Sequence, residues 1–120
     1  MKDRDPILYL THVLESIELA SAYVEGVDFQ RFSESQQLQD AVIRRVEIIG
    51  EAVKNLPAEI RDAAPDVPWR RIAGMRDKIV HDYMGVDIEL IWAVVQRDLP
   101  RLARDVRGLV AQQRSDEGPA

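Results

Sequence analysis

The stretch LQDAVIRRVEIIGEAVKNLP, residues 38–57, decides the fold. Its apolar residues Leu38, Val42, Val46, Ile49, Val53 and Leu56 step by four, four, three, four and three, the period of one face of an α-helix. Ser33 with Gln36 three residues later reads as a capping box at its start, and Pro57 ends it. Upstream, Ile7, Leu10, Leu14, Ile17 and Val24 form the stripe of a first helix that stops near Gly26. Downstream, Ala58 to Ala64 reads as a short turn of helix. Asp66 then reads as the N-cap of a third long helix, from Val67 to about Tyr83, which Gly85 terminates. Asp87 caps a last helix whose stripe Ile88, Ile91, Val95, Leu99, Leu102, Val106 and Leu109 stays in phase through Pro100, so one helix kinked at the proline is expected.

No strand-like alternation bounded by hairpin turns and no internal repeat interrupts this pattern. The expected fold is all-α: an up-and-down bundle of four long helices plus a short one, over residues 1–114, followed by a frayed tail at 115–120. A chain of 120 residues with 46% hydrophobic and 31% charged residues suits one compact domain. No apolar run approaches the ~20 residues of a membrane span. Cysteine is absent, which excludes disulfides, thiolate metal sites and cysteine nucleophiles. Met1 to Pro6 carries acids and lacks the basic start and apolar stretch of a signal peptide, so a cytoplasmic protein is expected. The net charge of −5 argues against steering by an overall basic surface. The five arginines of residues 97–114 read first as a solvated helix face.

Catalytic groups are few: two histidines, no glycine-rich phosphate loop and no His-Glu-x-x-His pair. His12 reads as a helix-surface or core-edge histidine. His81 stands in Arg76-Asp77-Lys78-Ile79-Val80-His81-Asp82-Tyr83, which combines a guanidinium, an imidazole, a phenol and carboxylates. On an ideal helix with Ile72 at zero, Arg76 falls at about 40°, inside the apolar arc. It is therefore either a paired structural arginine or one that faces a cleft or interface. His81 falls near about 180° beside Asp77 and Arg70, with Asp77 placed to accept an imidazole N–H. Arginine and histidine together suit phosphodiester cleavage without metal, since imidazole can deprotonate a 2′-hydroxyl while guanidinium stabilises phosphoryl charge. The wheel separates Arg76 and His81 by about 140°. Either the helix loosens before Gly85 or the site is shared across a C2 homodimer, for which Trp69 and Met75 are candidate contact residues.

At these residues the chain resembles the HepT-like members of the HEPN superfamily, whose mark is arginine, a polar residue, three positions, histidine, x and tyrosine. The similarity continues through residues 39–52, through Val67-Pro68-Trp69-Arg70 and through Asp98-Leu99-Pro100. The resemblance implies a dimeric, metal-independent endoribonuclease toxin that cleaves RNA, needs no cofactor and pairs with a minimal nucleotidyltransferase antitoxin. It implies catalytic roles for Arg76 and His81, a supporting role for Asp77, and Tyr83 as the tyrosine that the partner modifies with AMP. Arg70, Arg71 and Lys78 are the neighbouring cations expected to hold RNA. A binding module without cleavage and a structural partner subunit are the alternative readings.

Overall fold

The computed structural model describes residues 5–80 and 85–117. Asp5 opens helix α1 (Pro6–Tyr23) by accepting the Ile7 N–H, and Pro6 sits at the first helical position, where a missing N–H costs nothing. Gly26, at φ 74°, turns the chain after α1. A single helical turn, α2 (Phe29–Ser33), follows, capped by Asp28, which accepts the Arg31 N–H at 2.9 Å.

Helix α3 (Gln36–Lys54) is the central element, and its cap differs from the expected one. Ser35 accepts the Leu38 N–H, whereas the Ser33 hydroxyl donates back to the Gln30 carbonyl at 2.7 Å. The reason lies in Phe32: its side chain is fully buried and folds residues 29–33 into a helical turn of their own, which moves the start of α3 two residues on. Gln39, buried on α3, fixes the junction by donating to the Phe32 and Ser33 carbonyls at 3.0 and 3.2 Å.

After α4 (Ala58–Ala63), the expected third long helix is instead two helices of five residues, α5 (Trp69–Ala73) and α6 (Met75–Ile79), broken at Gly74. Pro68, not Asp66, occupies the N-cap of α5. Helix α6 ends before Gly85 because Val80 is already extended (φ −101°, ψ 119°) and pairs antiparallel with Val86, while the Asp87 N–H donates to the Ile79 carbonyl at 2.7 Å. Gly85 lies in the left-handed region at φ 93°, directly before this pairing.

The last span is α7 (Ile88–Ala93), a π-helical turn at Val94–Asp98, and α8 (Leu99–Glu117). Proline lacks an N–H and its ring collides with the carbonyl four residues back. The chain meets this by widening one turn, the Leu99 N–H reaching the Val94 carbonyl five residues away, so Val95 and Leu99 both stay buried. Helix α8 runs to Glu117, so residues 115–117 of the expected tail are helical.

The result is the expected all-α bundle, with the third of its four spans broken. α1 packs on α3 and α8, and α5 and α6 lie on α3. The core joins Leu10, Val13 and Ile17 to Val42, Val46, Ile49 and Val53, and to Ile91, Leu99 and Val106. Trp69 and Met75 are interior residues of the chain, 8% and 5% exposed, not a surface for a second copy. The Trp69 indole N–H donates to the Arg61 and Ala64 carbonyls. No described helix is long and apolar enough to cross a membrane.

Candidate active site

The two buried residues of α6, Met75 and Ile79, are four apart and hold one face of this short helix against the core, so Arg76, Asp77 and Lys78 are exposed. Arg76 is therefore not a core arginine; its side chain is 48% exposed. The ideal wheel placed it inward because it carried the phase of α5 through Gly74, where the helix breaks.

The Arg76 guanidinium is held from two sides. Its Nε donates to Glu47 Oε2 at 3.3 Å, and its NH1 lies 3.5 Å from Asp77 Oδ1. Glu47 belongs to α3, and its other oxygen lies 3.7 Å from Arg44 NH1, so one carboxylate spans two guanidinium groups. A guanidinium has five N–H donors, so these contacts orient Arg76 without exhausting it. At half exposure such pairs add little stability, on the order of 0–1 kcal/mol. Their consequence is positional.

Arg76 and Asp77 form one wall of a cleft of about 580 Å³, within the roughly 300–1,000 Å³ typical of ligand sites. The cleft is also lined by Tyr9 and His12 of α1 and by Arg44, Glu47, Glu51 and Lys54 of α3. Gly50 sets the approach of the walls: a Cβ there would lie 3.1 Å from the Ala73 carbonyl oxygen, so α3 and α5 come closer than a side chain comfortably permits.

Of the remaining expected site residues, Arg70 lines an adjoining hollow with Arg61, and Lys54 and Ala73 border both hollows. Arg71 lies elsewhere, in a separate pocket beside the π-helical turn, where its NH2 meets Asp98 Oδ2 at 3.1 Å. Lys78 is exposed on α6. His81 and Tyr83 lie outside the described residues, between Val80 and Gly85. Sequence reasoning passed over Glu47, Arg44 and His12 as site residues. The signal for the first two was present: Arg44, Glu47, Glu51 and Lys54 recur by three, four and three, a polar face of α3 opposite its buried stripe.

Residues 13–109 match the family described as Ribonuclease HepT-like. A Methanocaldococcus jannaschii protein named "Gamma-glutamylcyclotransferase and putative RNase" is 48% identical over 103 residues, 86% of this chain and 46% of that protein, so the chain spans about half of that relative's length. A Caldanaerobacter subterraneus subsp. tengcongensis protein named "Putative RNase" is 40% identical over 111 residues, 92% of this chain and 99% of its own. A Thermococcus cleftensis protein named "Probable ribonuclease HepT" is 44% identical over 94 residues, 78% of this chain and 86% of its own. No solved structure matches the chain significantly. With the family matched across most of a helical bundle and the motif arginine standing in a cleft, the chain belongs to the HepT-like ribonuclease family of the HEPN superfamily.

Proposed function

We propose that the chain is a metal-independent endoribonuclease, the toxin of a toxin–antitoxin pair acting in the cytoplasm, and that the Arg76 cleft is where it cleaves RNA. The observation that carries this reading is the Arg76 guanidinium, fixed by Glu47 and Asp77 at the wall of an open cleft, in a chain of a ribonuclease family. A guanidinium so placed stabilises charge developing on phosphoryl oxygens, and its fork matches their geometry. The motif histidine, His81, takes the proton of the 2′-hydroxyl as its oxygen attacks phosphorus. Asp77 acts through Arg76, the group it touches, and so is a positioning residue. Arg70 and Lys78 hold the strand, and Arg71, committed to Asp98, contributes least. A homodimer assembles the working site, and a nucleotidyltransferase antitoxin silences it by attaching AMP to Tyr83, adding phosphate charge and bulk beside the RNA path.

RNA cleavage in EDTA by the wild type and by His81→Ala tests the activity. Cleavage by the wild type and its loss in the variant support the reading; cleavage that requires magnesium, or that survives in His81→Ala, overturns it. After incubation with ATP and the partner, intact mass finds AMP on the wild type and none on Tyr83→Phe, and AMP on another residue refutes the assignment. One observation favours a second reading, RNA binding without cleavage: Arg76 is already matched to two carboxylates. RNA retained on the protein without products in the same assay would establish it.

A further inference from the structure

We propose that His12 is a second proton-transferring residue of this cleft, the general acid that protonates the leaving 5′ oxygen of the RNA. The inference rests on the reading of the Arg76 cleft as the cleavage site. Cleavage at phosphorus by a 2′-hydroxyl needs one group to remove a proton and another to supply one. A single histidine per chain cannot do both in one step, and this need makes a site shared between two chains attractive. The structure brings a second imidazole to the cleft within one chain: His12, on α1, lines the same 580 Å³ cleft as Arg76.

The placement is set by packing. Leu10 and Val13 are fully buried and Ile17 is 3% exposed, which locks the rotation of α1 on α3. Given that rotation, His12 is exposed and lines the cleft, with Tyr9 three residues earlier on the same side. The carboxylates of the cleft are engaged by cations: Glu47 with Arg44 and Arg76, Asp77 with Arg76, and Glu51 with Lys54 at 3.9 Å. No hydrogen bond or ion pair to another described residue engages His12. Its imidazole is thus the group in the cleft best suited to present a proton to a bound strand.

The 2′ oxygen forms a bond to phosphorus, and its proton passes to the base assigned above. The phosphorus–5′ oxygen bond breaks, its electron pair stays on that oxygen, and the imidazolium N–H of His12 delivers a proton to it. The products are a 2′,3′-cyclic phosphate and a 5′-hydroxyl, and neutral His12 regains its proton from water.

The test uses the full chain and two oligonucleotides, one with an ordinary 5′ oxygen and one with sulfur at the bridging 5′ position, a leaving group that departs without protonation. On the ordinary RNA, His12→Ala lowers kcat by roughly 10²–10⁴-fold with little change in KM. On the sulfur-bridged RNA the same variant cleaves within about tenfold of the wild type, since the contribution of general acid catalysis is absent there. Circular dichroism of His12→Ala matches the wild type, as expected at an exposed position, and His12→Gln, which retains a hydrogen-bond donor but not an acid, behaves as His12→Ala. Equal loss on both substrates, a change confined to KM, or wild-type cleavage by His12→Ala each overturns the assignment while the ribonuclease reading stands. A wild type that cleaves neither substrate overturns both.

Discussion

Helix α3 and the pair α5–α6 both carry apolar stripes and line the same cleft, yet they are built differently. The nineteen residues of α3 are closed at the start by the Ser35 hydroxyl and at the end by Asn55, whose side chain donates to the Glu51 carbonyl. Helices α5 and α6 have five residues each, and neither has a side-chain hydrogen bond at its N-cap. Helices this short are not stable alone. They persist because Trp69, Ile72, Met75 and Ile79 are buried, in large part against α3. The motif arginine therefore rides on an element that depends on its neighbour, and Glu47 of that neighbour orients it. A long helix with a side-chain cap supplies the wall, and a pair of short ones without such caps carries the motif arginine.

The largest effect on this contrast comes from the shared core. Ile49→Ala, at a fully buried position of α3, is expected to cost about 2–5 kcal/mol, read as a lower midpoint in urea with an unchanged slope. A cost below about 1 kcal/mol would mean that α3 is not the common support. Native-state hydrogen exchange sharpens the comparison: amides of α5 and α6 are expected to exchange through openings smaller than those that expose α3. Equal protection in both regions would remove the distinction. The smallest effect separates the two serines. Ser35→Ala removes the cap of α3 and is expected to cost about 1 kcal/mol, whereas Ser33→Ala, which leaves that cap in place, changes stability by a few tenths at most. The reverse order would restore the capping box at Ser33.

The same contrast explains what was legible in the sequence. Helix α3 is legible nearly whole because one unbroken stripe fixes both its type and its buried face. Its start is not legible, because Ser33-x-x-Gln36 satisfies a local rule that the burial of Phe32 overrides. The Val67–Tyr83 stretch reads as one helix because its apolar residues stay in phase on both sides of Gly74. The break there and the pairing of Val80 with Val86 are tertiary outcomes that periodicity does not record. The misplaced phase then sets Arg76 inside the apolar arc, and of the alternatives this leaves, paired or facing a cleft, the structure shows both: Arg76 is half exposed, paired with Glu47, and lines the cleft. Pro100 was legible as a disturbance of the last helix, but not as the widened turn that keeps Val95 and Leu99 inward. The Arg76–Glu47 contact spans 29 positions, and His12 lies still further from Arg76 along the chain. No local pattern joins residues so distant; the stacking of α1, α3 and α6 does.

The central claim is that Glu47 of α3 holds Arg76 where RNA is cleaved. A double-mutant cycle on the single-turnover rate of RNA cleavage tests it, with Glu47→Gln, Arg76→Ala and the two combined. Arg76→Ala is expected to lower the rate by about 10²–10³-fold and Glu47→Gln by less, with the double variant no slower than Arg76→Ala alone. Losses that multiply in the double variant, or an Arg76→Ala enzyme as fast as the wild type, would contradict the account.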